Sequence, residues 1–322
     1  MKDLDEFEGF FKSSLIPELI KLEDRRHFMK EKGTRVGVIS VSVIFIHWAL
    51  IYVNLVPSYS IILTLLATPG AAYLYYRSNY HDETIPEDFK EITVSKIVEF
   101  ADPSLSYDPD GFIPFSAFRA SQLFMQAPDH YAGDDFIKGQ IDGLPMMMSE
   151  LFVQYESEDK GAKNKDNWET IFKGLFMVVE LPKEVIQNIF VFSDELNRSI
   201  GYAGRLIQEG NIQYGHYTKP ANPVFRDHFV VYSANPIIGE RLLTERFMHE
   251  LLQMKGNAKA PVHLSILGNQ LYVAIERQRD FFEIDLKRSL LSWDYISSFY
   301  KDLYYVFNII SDLDVTDMLE SE

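Results

Sequence analysis

From Val36 to Tyr76 the chain runs 41 residues without Asp, Glu, Lys or Arg, and the apolar residues there surround a helical wheel instead of forming one stripe. Val36–Val56, 21 residues long, would as a helix measure about 32 Å, enough to cross a hydrocarbon core of about 30 Å. Tyr59–Tyr76 supplies 18 more, and only Pro57 and Ser58 separate the two, which predicts an antiparallel transmembrane hairpin. Pro69-Gly70 should kink the second helix. A closely packed neighbour tolerates such a break, and Ala67, Gly70 and Ala71 offer it a small-residue face. A buried core hairpin is disfavoured because core helices are normally amphipathic. A cleaved signal peptide is disfavoured because 35 residues of polar character come first and a second apolar run follows.

Residues 3–32 place Phe7, Phe11, Leu15, Leu19 and Leu22 near one helical face and Asp5, Glu8, Glu18, Glu23 and Arg25 near the other. Pro17 should divide them into two helices, the later one capped at Ser13-Ser14. Three partners are expected for the apolar stripe: the domain that follows, the membrane interface, or a partner helix. The carboxylates weigh against the interface.

After the hairpin the pattern predicts helices over 86–100 and 115–125, with Asp108-Pro109-Asp110-Gly111 as a turn between them. Phe136–Ile141 and Met146–Tyr155 alternate about Asp142-Gly143, a strong hairpin signal. Trp168–Leu181 is apolar on both alternating sets and should be a central strand covered on both faces. Residues 184–224 have little periodicity. Further strands are expected at 229–232, 262–267, 270–275 and 281–284, and helices over 238–254 and 286–310. The fold class is α+β: an N-terminal helical segment (1–35), a transmembrane hairpin (36–76, with spans 36–56 and 59–76) and a domain over 77–322 with an antiparallel sheet and flanking helices.

Charge adds an orientation. The chain of 322 residues carries 31 basic and 47 acidic side chains, net -16, and the whole excess falls after residue 76, because residues 1–35 hold eight of each. Arg25, Arg26, Lys30, Lys32 and Arg35 precede the first span, Arg77 follows the second, and the turn is uncharged. By the positive-inside rule both termini are cytoplasmic, with Tyr73, Tyr75 and Tyr76 at the inner interface. The acidic balance argues against binding nucleic acid. The absence of cysteine excludes disulfides, thiol catalysis and cysteine-ligated metals, and agrees with a reducing compartment.

Candidate chemistry is sparse. The chain lacks a Walker loop, G-x-G-x-x-G, G-x-S-x-G and H-E-x-x-H. Asp129, His130, Asp134 and Asp135 could hold a divalent cation or supply acid and base groups, but an acidic loop that turns the chain before a strand is the favoured reading, since no second ligand set at a recognisable spacing accompanies them. His47, deep in the first span, should face position 67 and reach Thr64 or Thr68. Lys160, Lys163 and Lys165 read as a solvated loop, and His216, His228, His249 and His263 as scattered residues. No cofactor or metal is expected.

Several blocks carry a resemblance: Asp129 to Gly139, Ile171 to Phe176, Pro223 to Tyr232, Arg241 to Met248 and Gly268 to Tyr272. In this order they resemble a bacterial membrane-protein family catalogued as domain of unknown function 3137, over most of residues 85–284. The resemblance implies a membrane hairpin before the domain and a bacterial inner membrane. It brings no catalytic residues, and it hints at an assembly with LemA-type membrane proteins. The function expected is a membrane-anchored, non-enzymatic interaction or accessory protein, engaging a protein partner or further copies of itself. The alternatives are a membrane-tethered metal-dependent hydrolase using 129–135, and a lipid-handling domain.

Overall fold

The computed structural model describes residues 2–157, 167–185, 187–193, 214–277 and 281–312. The chain forms two compact units. One consists of Leu4–Thr93 with Ile284–Ser297, and the other of Met1–Asp3, Val94–Glu283 and Ser298–Glu322.

In the helical unit, α1 (Leu4–Phe10), a π-helical turn (Phe11–Leu15) and α2 (Ile16–Tyr52) run on without a break. The division expected at Pro17 does not occur. Proline sits in the first turn of α2, where its missing N–H costs least, and the wide turn before it lets the Ile16 N–H reach back to the Phe11 carbonyl. Phe7, Phe11, Leu15, Leu19 and Leu22 are buried at near-fourfold spacing. Their stripe packs on the 284–297 segment, where the Trp293 ring lies 5.7 Å from Phe7 and 5.4 Å from Phe11.

One turn further on, a buried ion pair ties the same partners. The Arg26 guanidinium donates to both Glu23 oxygens, at 2.9 and 2.7 Å, and to the Leu286 carbonyl at 3.1 Å. Glu23 also accepts from the Ser289 hydroxyl and the Leu290 N–H, each at 2.9 Å. Burial alone would raise the Glu23 pKa. The bonds from Arg26, Leu290 and Ser289, with the Arg26 charge, outweigh it and hold the carboxyl at about 2.

Beyond Gly33, α2 pairs with α3 (Ser60–Tyr80). A side chain at Gly33 would meet the Tyr76 ring, and His47 Nε2 lies 2.8 Å from Ser60 Oγ, so the two helices are antiparallel. Partly covered positions recur at Gly33, Val36, Ile44, His47 and Ile51, with Ser40 buried, and at Ser60, Thr64, Thr68, Ala72 and Tyr76 opposite them. Ala67, Gly70 and Ala71 are exposed, so the expected small-residue face does not meet α2. The other sides are apolar and open, with Phe45 67% and Leu66 74% exposed. Among the described residues, one helical run, Leu4–Tyr52, is long and apolar enough to cross a membrane by length and composition. The expected second span is present as a helix but falls short of that measure. Its 21 residues include Pro69, Gly70, four tyrosines and Arg77, which dilute its hydropathy.

The sheet unit holds α5 (Ser95–Ala101), continuing the helix that begins with α4 (Ile85–Asp88) and a second π turn, then α6 (Phe115–Ala120), shorter than the sequence suggests. The strands are β1 (Ser106–Asp108), β2 (His130–Ile141), β3 (Leu144–Glu156), β4 (Trp168–Glu180), β5 (Ile189–Ser193), β6 (His216–Thr218), β7 (Phe229–Ser233), β8 (Val262–Leu267) and β9 (Gln270–Glu276). They form one sheet in the order β1-β2-β3-β4-β9-β8-β5-β7-β6, antiparallel at every pairing. The α+β expectation is met. Asp142-Gly143 makes the β2–β3 turn, both residues at positive φ (50° and 81°) as a tight hairpin requires. The strand β4 is central and covered on both faces as expected: Phe172, Phe176 and Val178 enter one aromatic core, while Leu175, Met177 and Val179 are buried on the other side.

Four boundaries differ from the sequence pattern. The helix expected over 238–254 is two, α7 (Pro223–His228) being followed by α8 (Pro236–Leu242) and α9 (Glu245–Ala258). The break is set by Thr244, whose hydroxyl accepts from the Phe247 N–H at 3.1 Å as an N-cap. Residues 281–284 are not a strand. The last helix, α10 (Trp293–Asp312), starts seven residues late, because Asp285 and Ser289 turn the chain through bonds to the N–H groups two residues on. The strand β2 begins at His130, so 130–135 is strand where a loop is expected.

Removing Glu23 leaves a guanidinium buried without its counter-charge. Glu23→Ala should destabilise the chain by about 3–5 kcal/mol in chemical unfolding. Because the folded-state pKa is depressed to about 2 from 4.5, the wild type should lose this stability as pH falls from about 4.5 towards 2. A Glu23→Leu/Arg26→Leu pair should lack that acid limb.

Candidate functional site at a bulge in the sheet

A break in the β2–β3 ladder between Asp134 and Ile137 gathers three carboxylates. Asp134 lies opposite Glu150, and Asp135 takes a left-handed conformation at φ 57°, a region Asp tolerates better than most residues. Gly133 permits the approach, since a Cβ there would come within 2.3 Å of the Glu150 carbonyl oxygen. Oxygen atoms of Asp134, Asp135 and Glu150 all lie within 4.8 Å of one another. Asp135 is 2% and Glu150 5% exposed.

The site is supplied with donors. The Tyr107 hydroxyl donates to Asp135 Oδ1, and the Phe281 N–H donates to Glu150 Oε2 at 2.7 Å. The backbone N–H of Asp135 reaches the Pro109 carbonyl at 3.1 Å, so the turn 108–111 positions the bulge. Burial pushes the Tyr107 hydroxyl well above its usual pKa, and the charges and hydrogen bonding of Asp135, with Asp134 and Asp110, push it the same way. Tyr107 is therefore a fixed donor. All three carboxylates have further interactions beyond these. Chemically the set can hold a cationic group, a divalent ion included.

The sequence-selected residues divide here. Asp134 and Asp135 join the cluster. Asp129 lies before β2, its carboxylate accepting the Glu156 N–H at 2.8 Å, and His130 faces the Phe152 and Trp168 rings, each 6.2 Å away. Glu150 is the member that sequence reasoning missed, because a cross-strand partner 16 positions away is set by hairpin register, and the only signal is the turn at Asp142-Gly143. The loop with Lys160, Lys163 and Lys165 lies outside the described residues. His263 is buried by itself, accepting from the Ser193 N–H at 3.3 Å, with Glu276 3.4 Å from its other nitrogen.

In the hairpin, His47 meets Ser60 and not Thr64 or Thr68. Thr64 donates back to the Ser60 carbonyl at 3.3 Å. The count from Pro57 places the partner seven residues further along than Ser60, with the first helix ending at Tyr52 and the second starting at Ser60. Of the basic flank, Arg25 binds Asp82 and Asp88, Arg26 binds Glu23, Arg35 binds Glu31 and Arg77 binds Glu83. Lys30 and Lys32 form no ion pair among the described residues.

Tyr107→Phe removes the donor to a buried carboxylate and should cost about 1.5–3 kcal/mol in unfolding measurements. Since the folded Tyr107 pKa is raised, the wild type should lose stability as pH rises past about 10, where the unfolded phenol ionises. The variant should show a shallower alkaline limb.

Residues 170–315 match a family model described as "Protein of unknown function (DUF3137)". The match starts 41 residues after the first resembling block at Asp129 and extends past Tyr272, the end of the last. Among curated proteins none matches the chain. One solved structure, the crystal structure of the mycobacterial trehalose monomycolate transport factor A, TtfA, aligns at 9% identity over 68% of this chain and 95% of its own, with a TM-score of 0.33. That score is too low to carry an argument about fold or role. The region from β4 onward, residues 170–315, thus belongs to the DUF3137 family.

Proposed function

We propose that the chain is a non-enzymatic accessory protein of the bacterial inner membrane, anchored by a hairpin that crosses twice, with both termini cytoplasmic. The sheet unit is presented to a protein partner or to further copies of the chain. The observation that carries the anchor is the exposed apolar surface of both α2 and α3 along 41 uncharged residues, which bulk water would not favour. The amphipathic rings sort to its two ends, Trp48, Tyr52 and Tyr59 near the turn and Tyr73 and Tyr75 at the base, all more than half exposed. From Tyr59 to Tyr75 a helix rises about 24 Å, close to a hydrocarbon thickness. The tyrosines that lower the hydropathy of α3 are thereby the residues expected at an interface. The partner reading, a LemA-type protein included, comes from the sequence resemblance alone. The metal-dependent alternative is favoured by one observation, the convergence of Asp134, Asp135 and Glu150. A lipid-handling domain would need an enclosed apolar pocket. The cavity beside β2 and β3 in the sheet unit is an open groove that includes Lys138 and Glu180.

The absence of cysteine makes the topology directly testable with single-cysteine variants and a membrane-impermeant maleimide. Val56→Cys should label in intact spheroplasts, and Asp3→Cys and Lys301→Cys only after permeabilisation. Labelling of Lys301→Cys from outside, or protection of Val56→Cys, would overturn the two-pass reading. Recovery of the chain from mild detergent as a lone monomer would count against the partner. Saturable Mg²⁺ or Mn²⁺ binding by the wild type, absent in Asp134→Asn/Asp135→Asn, would favour the alternative.

A further inference from the structure

We propose that the cavity at the base of the hairpin binds the head group of a phospholipid carrying a phosphate and a primary ammonium, an ethanolamine phospholipid. The proposal rests on the two-pass reading. The cavity, about 690 Å³, is lined by Arg25, Phe28 and Met29 of α2 and by residues 77–84. Its wall starts at Arg77, the first charged residue after the uncharged stretch, which puts it at head-group depth.

Most of its polar groups are already committed. Arg25 donates to Asp82 at 2.8 Å, to Thr84 at 2.6 Å and to Asp88 at 2.5 Å. The Arg25 bond holds the Asp82 carboxyl at about 2 against a smaller opposing effect of burial, and the Thr84 bonds add to it. Thr84 N–H and hydroxyl both reach Asp82 Oδ1, at 3.1 and 2.9 Å, and the Asp82 N–H reaches Met29 Sδ at 3.0 Å. These bonds fix the 81–84 segment as a rigid wall.

Three groups have capacity left, Arg77 and Glu83 in the wall and Lys32 outside the lining but against two of its rings. Arg77 and Glu83 form a loose pair at 3.4 Å, both side chains more than half exposed. Lys32 Nζ sits over the Phe28 and Tyr80 rings, 5.2 and 5.6 Å from their centroids, and the two rings meet edge to face. A phosphate placed against Arg77 and Lys32, with its ammonium on Glu83, replaces one loose ion pair by several charge-assisted contacts. An anionic head group without an amine would set its phosphate beside the Glu83 carboxylate. A choline head group has no N–H to donate to Glu83, and Lys32 already occupies the aromatic corner that could take a quaternary ammonium.

The full chain in mild detergent, supplied with equal amounts of dioleoyl phosphatidylethanolamine, phosphatidylglycerol and phosphatidylcholine, can be read by native mass spectrometry. Phosphatidylethanolamine should be retained in preference to the other two, and Arg77→Gln should weaken its retention about tenfold or more, as loss of a charge-assisted bond implies. Glu83→Gln should weaken phosphatidylethanolamine and spare phosphatidylglycerol. Both positions are exposed, so thermal unfolding should match the wild type. Equal retention of the three lipids, preference for phosphatidylglycerol, or variants indistinguishable from wild type would overturn the site. Maleimide labelling reads the topology independently: correct labelling with equal retention removes this site alone, and aberrant labelling with selective retention removes the two-pass reading and leaves the site.

Discussion

Exclusion of charge from residues 36–76 is the constraint on which the helical unit depends. Charged side chains cannot be spread along the hairpin, so they collect at its base, where each arginine finds a carboxylate. Arg35 and Glu31 pair one turn apart on α2, Arg77 and Glu83 across the end of α3, and Arg25 with Asp82 and Asp88 between α2 and the chain leaving α3. Some of the polar groups within the stretch turn to the seam between the two helices, while Ser42 and Asn54 stay exposed. Ser40 is buried at the seam and His47 meets Ser60, so each finds cover or a partner between the helices. One helix thus changes environment along its length. Its first part buries an apolar stripe against protein, and its second exposes apolar side chains on all sides but one.

In the sheet unit the corresponding constraint is that β4 has no face for water. Strands on both of its edges must carry the same two-sided burial, and Gly174 shows how closely they approach, since a Cβ there would lie 2.2 Å from the Ile275 carbonyl oxygen. The ladder departs from regularity at Asp134 to Ile137, and that is where the buried carboxylates collect. A bulge next to a close-packed strand is tolerable only if the exposed backbone and carboxyl groups find donors. Tyr107 and the Phe281 N–H meet part of that need.

What was legible in the sequence followed from local rules. The β2–β3 hairpin was announced by Asp142-Gly143, and β4 by its length and unbroken apolar character. The start of α9 was equally announced by Thr244, a good cap, but a continuous apolar stripe from Leu243 to Met254 hid the break. Four bulky residues make Ile189–Ser193 a strand, yet they stand in a glycine-rich stretch whose lack of periodicity masked them. Pro17 misled because a π turn can absorb a proline as readily as a helix end can. The carboxylate cluster was half legible. Asp134 and Asp135 are adjacent in the chain, whereas Glu150 joins them only through register, and register at a bulge is decided by packing.

The family region and the sheet order fit each other in a way that separates the fold from its chemistry. Residues 170–315 start within β4 and take in all of α10, and in the sheet they hold six contiguous strands of the nine, β4-β9-β8-β5-β7-β6. The meander β1-β2-β3, which holds Asp134, Asp135 and Glu150, is added on the free edge of β4 and lies outside the match. So does the base of the hairpin. Within the matched region, however, 284–297 packs with the helical unit and supplies Ser289, Leu290 and Trp293 to the first helical run. The helical run before the hairpin and the matched region are therefore not independent modules. In this chain the 284–297 segment is met by a helix that offers it a buried carboxylate and an apolar stripe at the spacing of Phe7 to Glu23. The Glu23–Arg26 pair accordingly ties the first helical run to a segment of the matched region, whereas the acidic cluster lies in strands outside it.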